Sequence, residues 1–105
     1  GTLELHDGIT TIGEGAFANT GLKGELRLPK DLEVISHNVF YNCDFSGVLV
    51  LPKGLHTIGD KSFAYNWRLM GTLEIPENVI SIGAGAFAKC TYAHTGNSLR
   101  YIDSL

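Results

Sequence analysis

The sequence has little of several features, and each scarcity excludes a class of protein or site. It has two cysteines, one methionine and no apolar run long enough to cross a bilayer, so we expect no membrane-spanning segment in this stretch. The eight lysines and arginines are scattered and the net charge is −3, which argues against a nucleic-acid partner. No secretory signal opens the chain, and it starts within structured sequence. We therefore expect a mature or excised piece of a longer protein.

What the sequence does have is an internal repeat of 23 or 24 residues. The 105 residues fit one domain, 1–105, and 13 of them are glycines. A glycine followed two and four residues later by Leu or Ile recurs four times, at Gly1, Gly24, Gly47 and Gly71. These glycines divide the chain into units 1–23, 24–46, 47–70 and 71–97, followed by a partial fifth unit, 98–105. Below, positions are counted from the glycine that opens each unit.

Five positions of the repeat are apolar in all four units. A unit of this size cannot bury a core alone, but stacked units complete one another's interior. The repeat therefore predicts a solenoid of about four coils, in which equivalent side chains form rows. The five positions are 3 (Leu3, Leu26, Leu49, Leu73), 5 (Leu5, Leu28, Leu51, Ile75), 9 (Ile9, Leu32, Leu55, Val79), 12 (Ile12, Ile35, Ile58, Ile82) and 17 (Phe17, Phe40, Phe63, Phe87).

Local patterns predict the path of the chain within each coil. Apolar and polar residues alternate over positions 1–5, as in a β-strand, and a proline at position 6 of units two to four would end that strand. The segment ending in Ile12 and Gly13 and its equivalents favours a second short extended piece and a bend. The Ala-Phe segment that follows favours one helical or 3₁₀ turn. The overall class is thus an α/β solenoid with mostly short parallel strands.

The pattern L-x-[LI]-P-x-x-[LIV]-x-x-I-G-x-x-[AS]-F resembles the BspA-like leucine-rich repeats, also called the Treponema pallidum type. The resemblance covers about residues 1–92; unit two departs from it at Ser36 and Val39, and His6 replaces the proline in unit one. This family occurs mostly in bacterial surface and secreted proteins and is implicated in adhesion. The resemblance therefore implies a secreted or cell-surface adhesive role, without naming a ligand.

Several apparent motifs have a structural explanation. Cys43 and Cys90 occupy position 20 two units apart, which places them about 10 Å apart if coils lie about 4.8 Å from each other. That is too far for a disulfide, so we expect free, buried thiols that bond to backbone at a turn. Gly13-x-Gly15 and its copy in unit four match a loose dinucleotide fingerprint but lack the long helix that the motif requires. The histidines show no metal-ligand spacing, so we expect no metal and no cofactor.

Two groups of residues are candidates for binding. If positions 3 and 5 point inward, positions 2 and 4 form an outward strip that contains Glu25, Arg27, Val48 and Val50. The turn after the phenylalanine varies, and in unit three it carries residue types common in binding hot spots. These are Tyr65, Trp67 and Arg68. Two alternatives stay open, because the valines can be ordinary strand formers and the tryptophan can pack over Leu69 or Met70.

The sequence contains no nucleophile, base and orienting partner that could be assembled into a catalytic site, so we expect no enzyme. The leading hypothesis is a non-catalytic extracellular module that binds a protein, with a glycan as the less favoured ligand. The alternative is a structural spacer or stalk that presents a neighbouring domain. Neither end carries an evident polar cap, so the chain is expected to continue into a longer protein or to pair end to end with another copy.

Overall fold

The computed structural model describes residues 3–70, 73–88 and 90, and these form short strands wound into coils. The expected insertion at 91–97 and the partial fifth unit at 98–105 lie outside the described residues. Seven strands are present: β1 (Thr11–Ile12), β2 (Lys23–Glu25), β3 (Val34–Ile35), β4 (Asp44–Val48), β5 (Thr57–Ile58), β6 (Arg68–Met70) and β7 (Ser81–Ile82).

The strands form two parallel sheets in which each coil pairs with its equivalent in the next coil. One sheet has the order β1-β3-β5-β7 and the other the order β2-β4-β6. Pairing joins residues one unit apart, such as Ile12 with Ile35 and Ile35 with Ile58. The predicted solenoid of stacked coils with short parallel strands is confirmed. The winding amounts to about three turns, slightly fewer than the four coils expected from the repeats.

The phenylalanines of position 17 form the row that the repeat predicts. Neighbouring ring centroids are 5.7 Å apart for Phe17 and Phe40, 5.4 Å for Phe40 and Phe63, and 5.2 Å for Phe63 and Phe87. All three pairs are stacked, with interplanar angles of 6°, 21° and 2°. Phe45 adds an edge-on contact to Phe40 at 5.7 Å. The row is the centre of a single core that continues through the coils.

The first strand of each coil lies earlier than the alternating pattern predicts. We expected it over positions 1–5, but β4 begins at Asp44 and ends at Val48, so its hydrogen bonds form mostly before the predicted segment. The side-chain alternation is nevertheless present, because Leu49 and Leu51 are buried while Val50 is exposed. Alternation reports which side chains face the core, and it does not report where a neighbouring backbone comes close enough to pair.

The expected helical or 3₁₀ turn around the phenylalanine is wrong, since no residue in the described ranges is helical. Positions 15 and 19 adopt positive φ, which breaks any right-handed helix. The N–H groups of positions 15, 17 and 19 donate to carbonyls of the next coil instead of closing helical turns, over 2.8 to 3.1 Å. We call these bonds the turn ladder; examples are Gly15 to His37, Phe40 to Ser62 and Tyr65 to Ala88.

Glycine at position 13 allows adjacent coils to approach closely. A Cβ atom on Gly59 would overlap the backbone carbon of Ser36, and one on Gly83 would overlap Asp60. The N–H groups of both glycines donate to the previous coil over 2.7 Å. Ser36 has a side chain at this position, and its equivalent bond to Ile12 is 3.3 Å long. Where position 13 carries a side chain, as at Ser36, the hydrogen bond between the two coils is longer than where it is glycine.

Replacing Gly59 with alanine is expected to lower the free energy of unfolding by about 2 kcal/mol, because the new methyl group overlaps backbone that cannot move alone. Urea unfolding followed by circular dichroism measures the loss. Gly13→Ala is the matched control, since a Cβ there meets nothing within 4 Å. An equal loss in both variants would show that chain flexibility, and not contact between coils, sets the effect.

Candidate binding surface

The outward face of the β2-β4-β6 sheet carries most of the residues that the sequence singled out. Ser46 of β4 pairs with Glu25 of β2 on one side and with Arg68 of β6 on the other. Val48 pairs with Met70 in the same sheet. Paired residues of parallel strands point to the same side, so these side chains share one surface.

Three apolar side chains are exposed next to one another on this surface. The exposed fraction is 50% for Val48, 72% for Val50 and 56% for Met70. Met70 was not among the candidates chosen from the sequence, because its place beside Val48 follows from the pairing of two coils. The only feature of the sequence that pointed to Met70 is its position at the end of the third unit, which is one residue longer than the first two. Clustered exposed apolar side chains on a sheet are unusual enough to suggest a contact site.

A groove of about 610 Å³ separates the second coil from the third along this surface. Val48 and Val50 line one side, and Glu25 and Arg27 line the other. Arg27 donates from Nε to a carboxylate oxygen of Glu25 over 3.1 Å, and both side chains are largely exposed. The four candidate residues of the strip thus lie around one groove. A surface ion pair of this kind contributes little to stability and leaves both groups accessible.

The variable turn of the third coil adds aromatic rings. Tyr65 packs edge-on against Trp67, with centroids 6.1 Å apart, and against Tyr41 of the second coil at 5.5 Å. Trp67 as a residue remains 59% exposed. Tyr41 belongs to this aromatic row although it was not chosen as a site residue. Tyrosine and tryptophan combine a large apolar area with a polar atom, which suits them to protein contacts.

Arg68 connects the aromatic turn to the sheet. It lies directly after Trp67, at the start of β6, and is exposed together with Met70, while Leu69 between them is buried. Its Nε lies 3.3 Å from a carboxylate oxygen of Asp44. Trp67, Arg68 and Met70 therefore lie near Val48 and Val50 on one surface, with Leu69 buried beneath it. We call the surface formed by these five exposed residues the sheet patch.

Tyr65 has a backbone conformation that is unfavourable for its residue type. Its φ angle is 65°, in the left-handed region, whereas the equivalent position carries Asn19 and Asn42 in the first two coils. Asparagine tolerates this region and tyrosine does not. Strain of this kind is concentrated at functional sites, because only a gain elsewhere keeps it in the sequence.

Tyr65→Asn is expected to raise the free energy of unfolding by about 1 kcal/mol, through relief of the left-handed backbone strain. The loss of ring contacts with Tyr41 and Trp67 offsets only part of this gain, since the tyrosine is half-buried. Thermal unfolding compared with the parent chain gives the result. A lower melting temperature would mean that the rings serve the fold and that no strain is stored here.

The side chains of position 20 form a row of backbone contacts beneath the turn. Cys43 and Cys90 are free thiols, as predicted, and each donates to the carbonyl of the phenylalanine one coil earlier over 3.1 Å. Cys43 is buried, whereas Cys90 is only half-buried. Burial raises the pKa of the Cys90 thiol to about 11, so this thiol is protonated near neutral pH and remains a donor. The hydrogen bonds of this row stabilise the turn, and the side chains of position 20 are not part of the sheet patch.

No three His, Cys, Asp or Glu side chains come together as a metal site within residues 3–70, 73–88 and 90. The same part of the chain contains no helix that could span a membrane.

Comparison with known proteins gives one match. The profile described as "BspA type Leucine rich repeat region (6 copies)" matches residues 1–104. No match was found among curated proteins or among solved structures. The family match thus covers nearly the whole chain, and it agrees with the stacked coils described above.

Proposed function

Because the chain belongs to the BspA-type leucine-rich repeat family, we propose that it is a non-catalytic protein-binding module of a secreted or cell-surface bacterial protein. Repeats of this family are generally surface and protein-interaction repeats. The proposed contact site is the sheet patch, with the aromatic row beside it. The repeated coils provide a rigid support on which such a surface can be held in one conformation.

The observation that carries this proposal is the run of adjacent exposed apolar and aromatic side chains on one sheet. Val48, Val50, Met70 and Trp67 are each at least half exposed, and Arg68 lies among them. Tryptophan, tyrosine and arginine are the residue types enriched in binding hot spots. A surface of this composition gains apolar burial on contact, while its charged groups at the edge give orientation.

Val50→Thr is expected to weaken binding of a protein ligand about tenfold, since a shape-conserving change that buries a hydroxyl group costs about 1 to 2 kcal/mol. The ligand is first selected by biolayer interferometry against a panel of purified extracellular matrix proteins and glycans. Dissociation constants are then measured for the parent chain and the variant.

Ile80→Thr is the matched control for this experiment. Ile80 is 84% exposed and lies beside β7 in the other sheet, so its change should leave the dissociation constant within twofold of the parent. Retained binding in variants of Val50, Met70 and Trp67 would contradict the sheet patch as the contact site. If no member of the panel binds, the result favours the alternative function, a structural spacer or stalk that presents a neighbouring domain.

A further inference from the structure

We propose that the groove between the second and third coils binds an extended, acidic peptide segment of a protein partner. This inference rests on the proposed protein-binding function and specifies the chemistry of its ligand. Three properties of the groove carry it: its length and backbone, its charge, and the spacing of its apolar side chains.

The groove has the length of a short extended peptide. Its lining runs from Glu25 to Lys30 on the second coil and from Val48 to Lys53 on the third. Each side is extended up to the turn that begins at Pro29 or Pro52, a length of about 15 Å, so a peptide of four or five extended residues lies alongside it. The two coils run parallel through this stretch, and the volume between them is about 610 Å³.

The chain along the groove continues beyond the paired strands. Sheet pairing between these coils ends at Glu25 and Ser46. Arg27, Leu28 and Val50 lie beyond this point, outside every strand of the described residues. Exposed backbone donors and acceptors next to extended chain are the groups that pair with an added peptide strand.

The charge of the groove favours an anionic ligand, although the chain as a whole has a net charge of −3. Lys30, Lys53 and Arg27 line it together with a single carboxylate, that of Glu25. Glu25 is paired with Arg27, and the ammonium of Lys30 makes a long contact of 4.0 Å with a carboxylate oxygen of Asp7. The two lysines are therefore available to carboxylates of a ligand.

The next groove along the solenoid lacks this charge. Between the third and fourth coils, Lys53 is accompanied by Glu74 and Glu77, so the acidic groups outnumber the basic one. The selectivity for an acidic segment thus belongs to the groove between the second and third coils. It is a property of these residues and not of every pair of coils in the repeat.

The apolar side chains distinguish a peptide from a sulfated polysaccharide, which the lysines alone could also attract. Val48 and Val50 lie two residues apart on one extended stretch, which is the spacing of side chains on one face of a strand. A peptide with apolar residues at alternate positions matches this spacing and buries apolar area. A polysaccharide gains little from the two valines.

Fluorescence anisotropy with labelled nine-residue peptides tests the inference. One peptide alternates valine with aspartate, a second alternates valine with lysine, and a third alternates serine with aspartate. We expect the first to bind the parent chain at least tenfold more tightly than the other two, and more weakly as salt rises. The combined change Lys30→Gln and Lys53→Gln should weaken this binding at least tenfold, and Val50→Thr at least threefold.

Lys61→Gln is the matched control, because Lys61 lies in a turn outside the groove and its neutralisation should change binding less than twofold. Circular dichroism establishes that each variant is folded. The inference is overturned if the three peptides bind alike, if the lysine variant binds as the parent does, or if heparin binding needs the lysines but not Val50. If a protein ligand depends on Val50 while no acidic peptide binds, the proposed function stands and this inference alone is rejected.

Discussion

Replacing Phe63 with alanine is expected to lower the free energy of unfolding by about 4 kcal/mol, the largest effect of any change considered for this chain. The ring is fully buried and stacks between Phe40 and Phe87, at centroid distances of 5.4 and 5.2 Å. Its removal leaves a cavity in the middle of the row and separates the coils on either side. Urea unfolding measures the loss, which is a large share of the total stability of about 5 to 15 kcal/mol typical of a domain.

Phe17→Ala provides the matched comparison at the edge of the row. Phe17 is only half-buried and has one stacked neighbour, Phe40, at 5.7 Å. We expect a loss of about 2 kcal/mol, because less apolar area leaves the core and no coil is separated from another. Equal losses for Phe17 and Phe63 would contradict the idea that stability accumulates through contacts between neighbouring coils.

Replacing Asn66 with leucine is expected to lower the free energy of unfolding by about 3 kcal/mol, although the two side chains branch at the same atom. Asn66 is fully buried at position 20 and makes three hydrogen bonds to backbone. Its amide nitrogen donates to the carbonyls of Phe40 and Phe63 over 2.8 and 3.0 Å, and its oxygen accepts from the N–H of Phe45 over 3.3 Å. Leucine removes all three bonds; the Phe63 carbonyl keeps the thiol of Cys90 as a donor, whereas the Phe40 carbonyl and the Phe45 N–H lose the bonds that Asn66 made. Thermal and urea unfolding measure the loss.

Asn66→Thr is the control for lost hydrogen bonding. Thr20 occupies the same repeat position, and its hydroxyl donates to the carbonyl of Phe17 over 2.8 Å. Threonine at position 66 should therefore keep one of the three bonds and lose about half as much stability as leucine does. If leucine proves as stable as asparagine, the row of position 20 is a packing feature and its hydrogen bonds have little net value.

The parts of the fold that follow from repetition could be predicted from the sequence. The phenylalanine row, the burial of positions 3 and 5, and the free thiols of Cys43 and Cys90 all follow from stacking equivalent residues at the spacing of adjacent strands. These features depend on which side of the coil a residue faces, and that information is contained in the apolar pattern.

The parts that depend on backbone hydrogen bonds between coils could not be predicted in the same way. The apolar pattern does not reveal that the Ala-Phe segment bonds to the next coil, nor that sheet pairing begins at Asp44. The same limit applies to the candidate surface. Met70 joins Val48 only through the register of two strands, and Lys30 and Lys53 meet across a groove that exists only once the coils are stacked.

The turn ladder gives each coil two chemically different flanks. All of its bonds run one way, with N–H groups of one coil meeting carbonyl oxygens of the following coil, as from Gly15 to His37 and from Phe63 to Ala86. A coil turned over would bring donors against donors. At position 13 the bonds run the other way, from the N–H of Gly59 to the carbonyl of Ile35, so each flank combines a donor segment with an acceptor segment. A coil can therefore dock on its neighbour in only one orientation and register.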